Sequence, residues 1–306
     1  MMRLFDSSLS LYRKTVKRVR PAHIAMHRLM DRLLMPALER RYDFKTIPED
    51  PFWFRLELLT GQHEIETAQL LRQLVKPGMI ALDVGAHVGY YTRLLSRLTG
   101  RGGRVIAFEP HPRTHQVLRH NTRALANATP LQVAVAEAAG SAELYDYLMM
   151  SASGSLHYDE SLAHLQRARM GAEDIAPRGQ EAFEMQRFRV ETATIDTCLA
   201  ELGIERVDMV KMDIEGAELG ALRGMRDTIA ASPRMTLVME YNPSALKAFG
   251  FDPGAALDET LGMGFSHVEA IEADGSLRDW GDEALVARET ARMLGDMSVV
   301  NLLFRR

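Results

Sequence analysis

From residue 79 onward the chain is punctuated by short apolar runs: MIALDV (79–84), RVIAFE (104–109), LQVAVA (131–136), VDMVKMD (207–213), RMTLVMEY (234–241), FSHVEAI (265–271) and MSVVNLLF (297–304). Segments of helical spacing separate them, among them YYTRLLSRLTG and a stretch around 112–124. Strands alternating with helices predict an open, doubly wound, mostly parallel sheet. The near-continuous apolar character of the runs fits burial on both faces. Two further segments, SAELYDY (141–147) and FEMQRFRVETATI (183–195), alternate apolar and polar positions. They predict a half-exposed β-pair inserted at about 141–195. Between them, residues 150–182 show no period and read as a long binding loop or lid.

Upstream, EIETAQLLRQLV reads as an amphipathic helix from about 62, stopped by Pro77-Gly78. Residues 8–41 carry helix-compatible patterning broken at Pro21 and Pro36. RYDFKTIPEDPFWF (41–54) reads as a linker docked through Phe52, Trp53 and Phe54. The expected organisation is a basic helical extension over 1–55 and one α/β domain over 56–306.

Charge changes this picture at the N-terminus. Residues 1–41 hold 10 Lys/Arg against 3 acids, and the remainder holds 27 against 38, although the net is only −4. A basic leader on an acidic body suits either docking on that body or contact with an anionic surface. The single cysteine, Cys198, allows no internal disulfide and reads as core. No apolar stretch approaches 18 residues, and no signal-peptide pattern opens the chain. A cytoplasmic protein, with the leader at the inner membrane face, is the expectation.

Chemistry concentrates at the strand ends, where open α/β sheets bind ligands. Asp83, Glu109 and Asp213 each close an apolar run. In DVGAHVGYYT (83–92) Gly85 and Gly89 permit a tight strand-to-helix turn. The dinucleotide pattern G-x-G-x-x-G would fall on Gly85, His87 and Tyr90, so only its first glycine is present. Pyrophosphate binding is thereby disfavoured. No phosphate loop of the form G-x-x-x-x-G-K-[ST] occurs either. A nucleoside without phosphates remains, and Glu109, 24 residues beyond Gly85, suits its ribose hydroxyls.

These residues carry a resemblance. DVGAHVGYYT, FEPHPRTHQVLRHN (108–121), VETATIDTCL (190–199) and VKMDIEGAE (210–218) resemble the FkbM-type methyltransferases in order and spacing. The likeness covers roughly residues 60–306. It implies a Rossmann-like class I methyltransferase fold and S-adenosyl-L-methionine as cofactor. It also implies a hydroxyl acceptor on a sugar, glycan or other small molecule. Asp83, Gly85, Ala86, His87 and Gly89 would form the pocket for the cofactor's methionine side, His87 standing where the family often has Asn. Glu109 would hold the ribose, Pro110 and Val135 would border the adenine, and Asn121 matches the motif's closing asparagine, as a cofactor contact or a helix C-cap.

Methyl transfer to oxygen requires in-line alignment and loss of the hydroxyl proton. Asp213 is the first candidate for base, with Lys211 on the same strand face as its partner or as an anion site. Glu215 is left between substrate contact and loop structure, and Glu218 reads as a first-turn helix acid. Glu240 and Tyr241, closing their strand, and Ser155 and His157, in the long loop, are candidate substrate contacts. No bound metal is expected: Asp213 and Glu215 supply two oxygen ligands close in sequence, and Glu240 is a third acid by spatial guess alone. His111, His115 and His120 show no metal-ligand pattern. Two other readings, a non-catalytic adenosyl-binding module and an RNA methyltransferase, are disfavoured. The first would not need all three strand-end acids, and the acidic body lacks an aromatic-basic patch suited to the second.

Overall fold

The computed structural model describes residues 29–147, 151, 154–157 and 185–306. The leader patterning before residue 29 and most of the 150–182 loop lie outside the described residues. A π-helical turn, Met30–Leu34, runs without a break into α1 (Met35–Tyr42), with Pro36 at the junction. Helices α2 (Phe52–Thr60) and α3 (Ile65–Leu74) follow. The aromatic trio expected to end a linker instead opens α2. Phe52 is buried with Met35, Phe44, Ile47 and Val88, so this N-terminal segment packs on the turn after the first strand.

The main sheet has eight strands in the order β10-β9-β11-β8-β7-β1-β2-β3. Its parallel half comprises β1 (Ile80–Val84), β2 (Arg104–Phe108), β3 (Ala128–Leu131), β7 (Met209–Met212) and β8 (Thr236–Tyr241). The far edge holds β9 (His267–Ile271), β10 (Leu277–Asp279) and β11 (Val300–Arg305). There β11 lies antiparallel to both β8 and β9. Helices α4 (Tyr90–Thr99) and α5 (Pro112–Thr122) cross between the first strands. The later crossovers hold α6 (Ile195–Glu201), α7 (Glu218–Arg223), α8 (Arg226–Ala231), α9 (Pro243–Ala248) and α10 (Pro253–Gly262). Before β11 lies α11 (Glu283–Asp296). One core cluster takes its side chains from β1, β2, β7, β8, β11 and the helices covering that face.

Two details depart from the sequence pattern. The run 131–136 is not one strand: β3 ends at Leu131, and β4 (Ala134–Val135) joins a second sheet. The inserted pair, β5 (Gly140–Tyr147) and β6 (Met185–Ala193), takes β4 as a third strand in the order β4-β6-β5. The switch between sheets at Gln132–Val133 sets the small sheet at the carboxyl edge of the large one. Strand β10, only three residues long, is too short to show a period.

Candidate active site

Strand β1 is where the sheet order reverses, with β2 on one side and β7 on the other. A ligand crevice forms at such a point because the connections leave in opposite directions. A cavity lies there, bordered by Gly85, His87, Glu109, Pro110, Val135 and Asp213. Ile214 and Glu215 continue the wall, and Leu144, Ser151 and Leu156 of the insertion close it from the side.

The turn after β1 is built on close approach. Gly85 has φ +83°, and its backbone lies so near β7 that a Cβ would stand 1.8 Å from the Asp213 carbonyl oxygen. The Gly85 and Ala86 N–H groups both donate to Phe108 O. His87 also adopts positive φ (50°), which turns its N–H onto Glu109 Oε2 at 2.9 Å. The other carboxylate oxygen, Oε1, accepts the His111 N–H at 2.9 Å. Two backbone donors therefore fix the Glu109 carboxylate at the cavity, although burial raises its pKa to about 7.

Asp83 and Lys211 lie beneath the cavity as Cα partners on β1 and β7. Asp83 is fully buried and accepts the Thr92 hydroxyl, and burial lifts it to about 6 against the pull of Lys211. Lys211 is 2% exposed and donates to Asp213 Oδ2 at 2.8 Å, with its ammonium 4.9 Å from the Tyr91 ring centre. Burial works against its charge, yet Asp213, Glu64 and Asp83 outweigh that and hold it above the ordinary lysine value. Tyr91 in turn donates to Glu64 Oε2 at 2.6 Å.

Asp213, Glu215 and Glu240 converge, each offering a carboxylate oxygen within 4.8 Å of the others. Burial, then the Asp213 charge, raises Glu215 to about 8 and Glu240 well above the ordinary carboxylate range. Glu215 sits at φ 53°, and this strained loop is braced by Glu218, whose Oε1 accepts the Ile214 and Gly216 N–H groups. Glu218 is buried, with its pKa raised to about 7 by that burial. It opens α7 as the acid of the first turn, and its carboxylate also supports the loop before the helix.

Other candidates are placed elsewhere. Asn121 donates to Lys45 O and Val88 O and accepts the Lys45 N–H, so its amide is a strut between α5, the N-terminal segment and the motif turn. It is neither part of the cavity wall nor the C-cap, which is Arg123. Replacing Asn121 by Ala leaves three backbone groups without this partner, of which the Val88 carbonyl is buried. The expected cost is about 1–3 kcal/mol in denaturant unfolding, with cofactor affinity changed far less than by a cavity residue. Tyr241 points away from the cavity into the core, stacking edge-on with Trp280 and sharing a hydrogen bond with Thr290. Ser155 bonds the Glu215 carbonyl, and His157 is exposed beside Phe249. Ala86 and Gly89 shape the turn without lining the cavity; Gly89, φ +91°, is the N-cap of α4.

Some participants carried no signal in sequence. Ser151 donates its hydroxyl to Asp50 Oδ2 and its N–H to Asp50 Oδ1, and lies 2.7 Å from His87 Nε2. With the serine proton committed to Asp50, His87 is the donor to Ser151. Burial and the neighbouring His63 lower its pKa to about 3, so the ring is neutral. His111 Nε2 lies 3.3 Å from Asp146 Oδ2 of β5, and Phe188 of β6 packs edge-on against the imidazole. These contacts join segments up to 101 residues apart, beyond the reach of local pattern.

The family model described as "Methyltransferase FkbM domain" matches residues 83–272. The chain belongs to the FkbM methyltransferase-domain family. The matched span begins at Asp83 and contains Gly85, Glu109, Asp213 and Glu240, so the cavity wall of the FkbM domain is the part that is shared. The 31-O-demethyl-FK506 methyltransferase FkbM of Streptomyces tacrolimicus is 28% identical over 227 residues, 71% of this chain and 83% of that one. Methyltransferase sdnD of Sordaria araneosa is 27% identical over 183 residues, covering 54% and 68%. The 2-O-methyltransferase NoeI of Sinorhizobium fredii is 26% identical over 171 residues, covering 53% and 63%. The last alignment thus spans less than two thirds of its relative. Membership makes S-adenosylmethionine the cofactor of the FkbM domain. The donor set fits it: a carboxylate, Glu109, held at the cavity where ribose hydroxyls could donate to it, and apolar Val135 on the same wall for a base.

Proposed function

We propose that the protein transfers the methyl group of S-adenosylmethionine to a hydroxyl of a saccharide or other small-molecule acceptor. The observation that carries this reading is the cavity at the β1 switch point, with a fixed carboxylate (Glu109) at one end and Asp213 at the other. Glu109 accepts the ribose hydroxyls, and Gly85 lets the methionine portion lie against the backbone. Pro110 and Val135 border the adenine. Asp213, oriented by Lys211, faces the acceptor and takes the hydroxyl proton as the methyl–sulfur bond breaks and the oxygen–methyl bond forms. Relatives named as a 2-O-methyltransferase and a 31-O-demethyl-FK506 methyltransferase support an oxygen acceptor, and one named as a hexuronic acid methyltransferase supports a saccharide.

The domain division follows the same reading, with residues 1–55 as an extension and 56–306 as the methyltransferase unit. The extension's role is contact with an anionic surface, supported by its 10 Lys/Arg in 41 residues and by exposed Leu29, Leu33 and Leu34 at the described helix end. Among the described residues no helix is long and apolar enough to cross a membrane.

Cofactor titration tests the site. Ribose hydroxyls donate to an ionised carboxylate, so binding favours the charged form of Glu109. With that group at about 7 in the free protein, affinity rises with pH through neutrality, by about tenfold from pH 6 to pH 8. Glu109→Gln weakens binding and flattens this dependence. Calorimetry showing no binding of S-adenosylmethionine at any pH sinks the reading; an unchanged pH slope in Glu109→Gln removes Glu109 from it.

A further inference from the structure

We propose that Asp213, Glu215 and Glu240 hold one divalent cation, Mg²⁺ or Mn²⁺, at the acceptor end of the cavity. Three carboxylates from two adjacent strand ends converge with oxygen atoms within 4.8 Å. Donors to such an ion sit about 2.1 Å from it in octahedral geometry, which puts neighbouring donors about 3.0 Å apart, so the side chains draw together by up to about 2 Å to close the set. All-oxygen donors suit these hard ions. Charge points the same way: three carboxylates and Lys211 leave a local balance of −2 when ionised, and Lys211 is already committed to Asp213 Oδ2.

A separate observation points to something bound there. Glu240 Oε2 is sealed from solvent and has no hydrogen-bond partner. On the same rung of the sheet, Asn301 is the Cα partner of Glu240, so its side chain stands on the same face. Its Oδ1 is also buried and unpartnered. Buried oxygen acceptors ordinarily have a partner, and the sealed Glu240 oxygen stands beside two further carboxylates, an arrangement that a cation would satisfy. The Glu215 Oε2–Asn242 Nδ2 contact, 3.5 Å, is too long to hold that carboxylate otherwise.

Three protein oxygens fill half of an octahedral shell. Since Asp213 and Glu215 line the cavity, the remaining positions open toward it. Two neighbouring positions fit a pair of adjacent oxygens, as in a vicinal diol or a hydroxy acid. This acceptor class rests on the methyl-transfer reading above; cation binding does not.

The test is Mn²⁺ titration of the full chain without cofactor or acceptor, followed by the loss of the free-ion electron paramagnetic resonance signal. One tight ion per chain is expected, displaced by Mg²⁺. Glu240→Gln should weaken binding by about tenfold or more, and Glu215→Gln should do the same. Asp258→Asn, at an exposed acid, should leave it unchanged. Binding of S-adenosylmethionine and the unfolding midpoint report whether each variant is folded. No saturable Mn²⁺ binding, or equal binding in folded Glu240→Gln and wild type, overturns the site. If Mn²⁺ binds as expected but S-adenosylmethionine does not, the cation site stands and the methyl-transfer reading falls.

Discussion

Lys211→Met should destabilise the protein by about 3–5 kcal/mol at pH 8. The ammonium is 2% exposed, bonded to Asp213 and faced by Asp83 and Glu64. A methionine fills the space but leaves these carboxylates without a counter-charge in a poorly solvated place. Relief comes only from protonation, so the sign of the pH dependence follows. Asp83 stands at about 6 even with Lys211 present, and losing the lysine raises it further. A carboxylate raised in the folded state takes up a proton on folding, so the variant's stability falls as pH rises through that range. The deficit is therefore smaller at pH 5.5 than at pH 8. Denaturant midpoints at the two values decide it. A deficit under about 1 kcal/mol at pH 8, or one independent of pH, would make Lys211 a ligand-facing residue with little part in holding the strand ends together.

The second large effect belongs to Gly85→Ala. Its Cβ would stand 1.8 Å from the Asp213 carbonyl oxygen, and its backbone has φ +83°. Left-handed strain at a non-glycine costs about 1–3 kcal/mol, and overpacking typically costs about 1–3 kcal/mol more. The obstacle is backbone at the end of the neighbouring strand, so β1 and β7 have to part at the cavity. Cofactor binding should vanish along with much of the stability. Gly78→Ala is the matched control, since φ there is +87° with nothing within 4 Å. It should cost only the strain and leave cofactor affinity intact. Equal effects of the two substitutions would mean that close approach contributes nothing at position 85.

The difference between these sites and the residues that sequence alone could not place is one of range. Asp83, Glu109 and Asp213 announce themselves because an apolar run ending in an acid is a local pattern, and strand ends of an α/β sheet gather at one edge. Gly85 is legible for the same reason. The convergence of Glu240 on Asp213 and Glu215 depends on β7 pairing with β8, which joins segments some 27 residues apart. The orientation of a side chain at a strand end then decides whether it meets the cavity. Glu240 and Tyr241 are neighbours in sequence, yet one joins the acids and the other enters the core beside Trp280, because adjacent strand positions face opposite ways. Asn121 shows the converse: its motif position suggested a ligand contact or a C-cap, and its amide is used to fasten residues 45 and 88 to one helix. The split of the 131–136 run arises from competition between two sheets, which no single window of the chain records.

That fastening separates two kinds of boundary. The shared domain begins at Asp83, but Val88 is covered by Met35, Phe44 and Ile47, and Asn121 finds two of its three bonds on Lys45. The span that the family model covers and the unit that packs together therefore have different outlines on this chain: the first is the smaller. A protein trimmed to residues 83–272 would lay bare the back of the turn after its first strand.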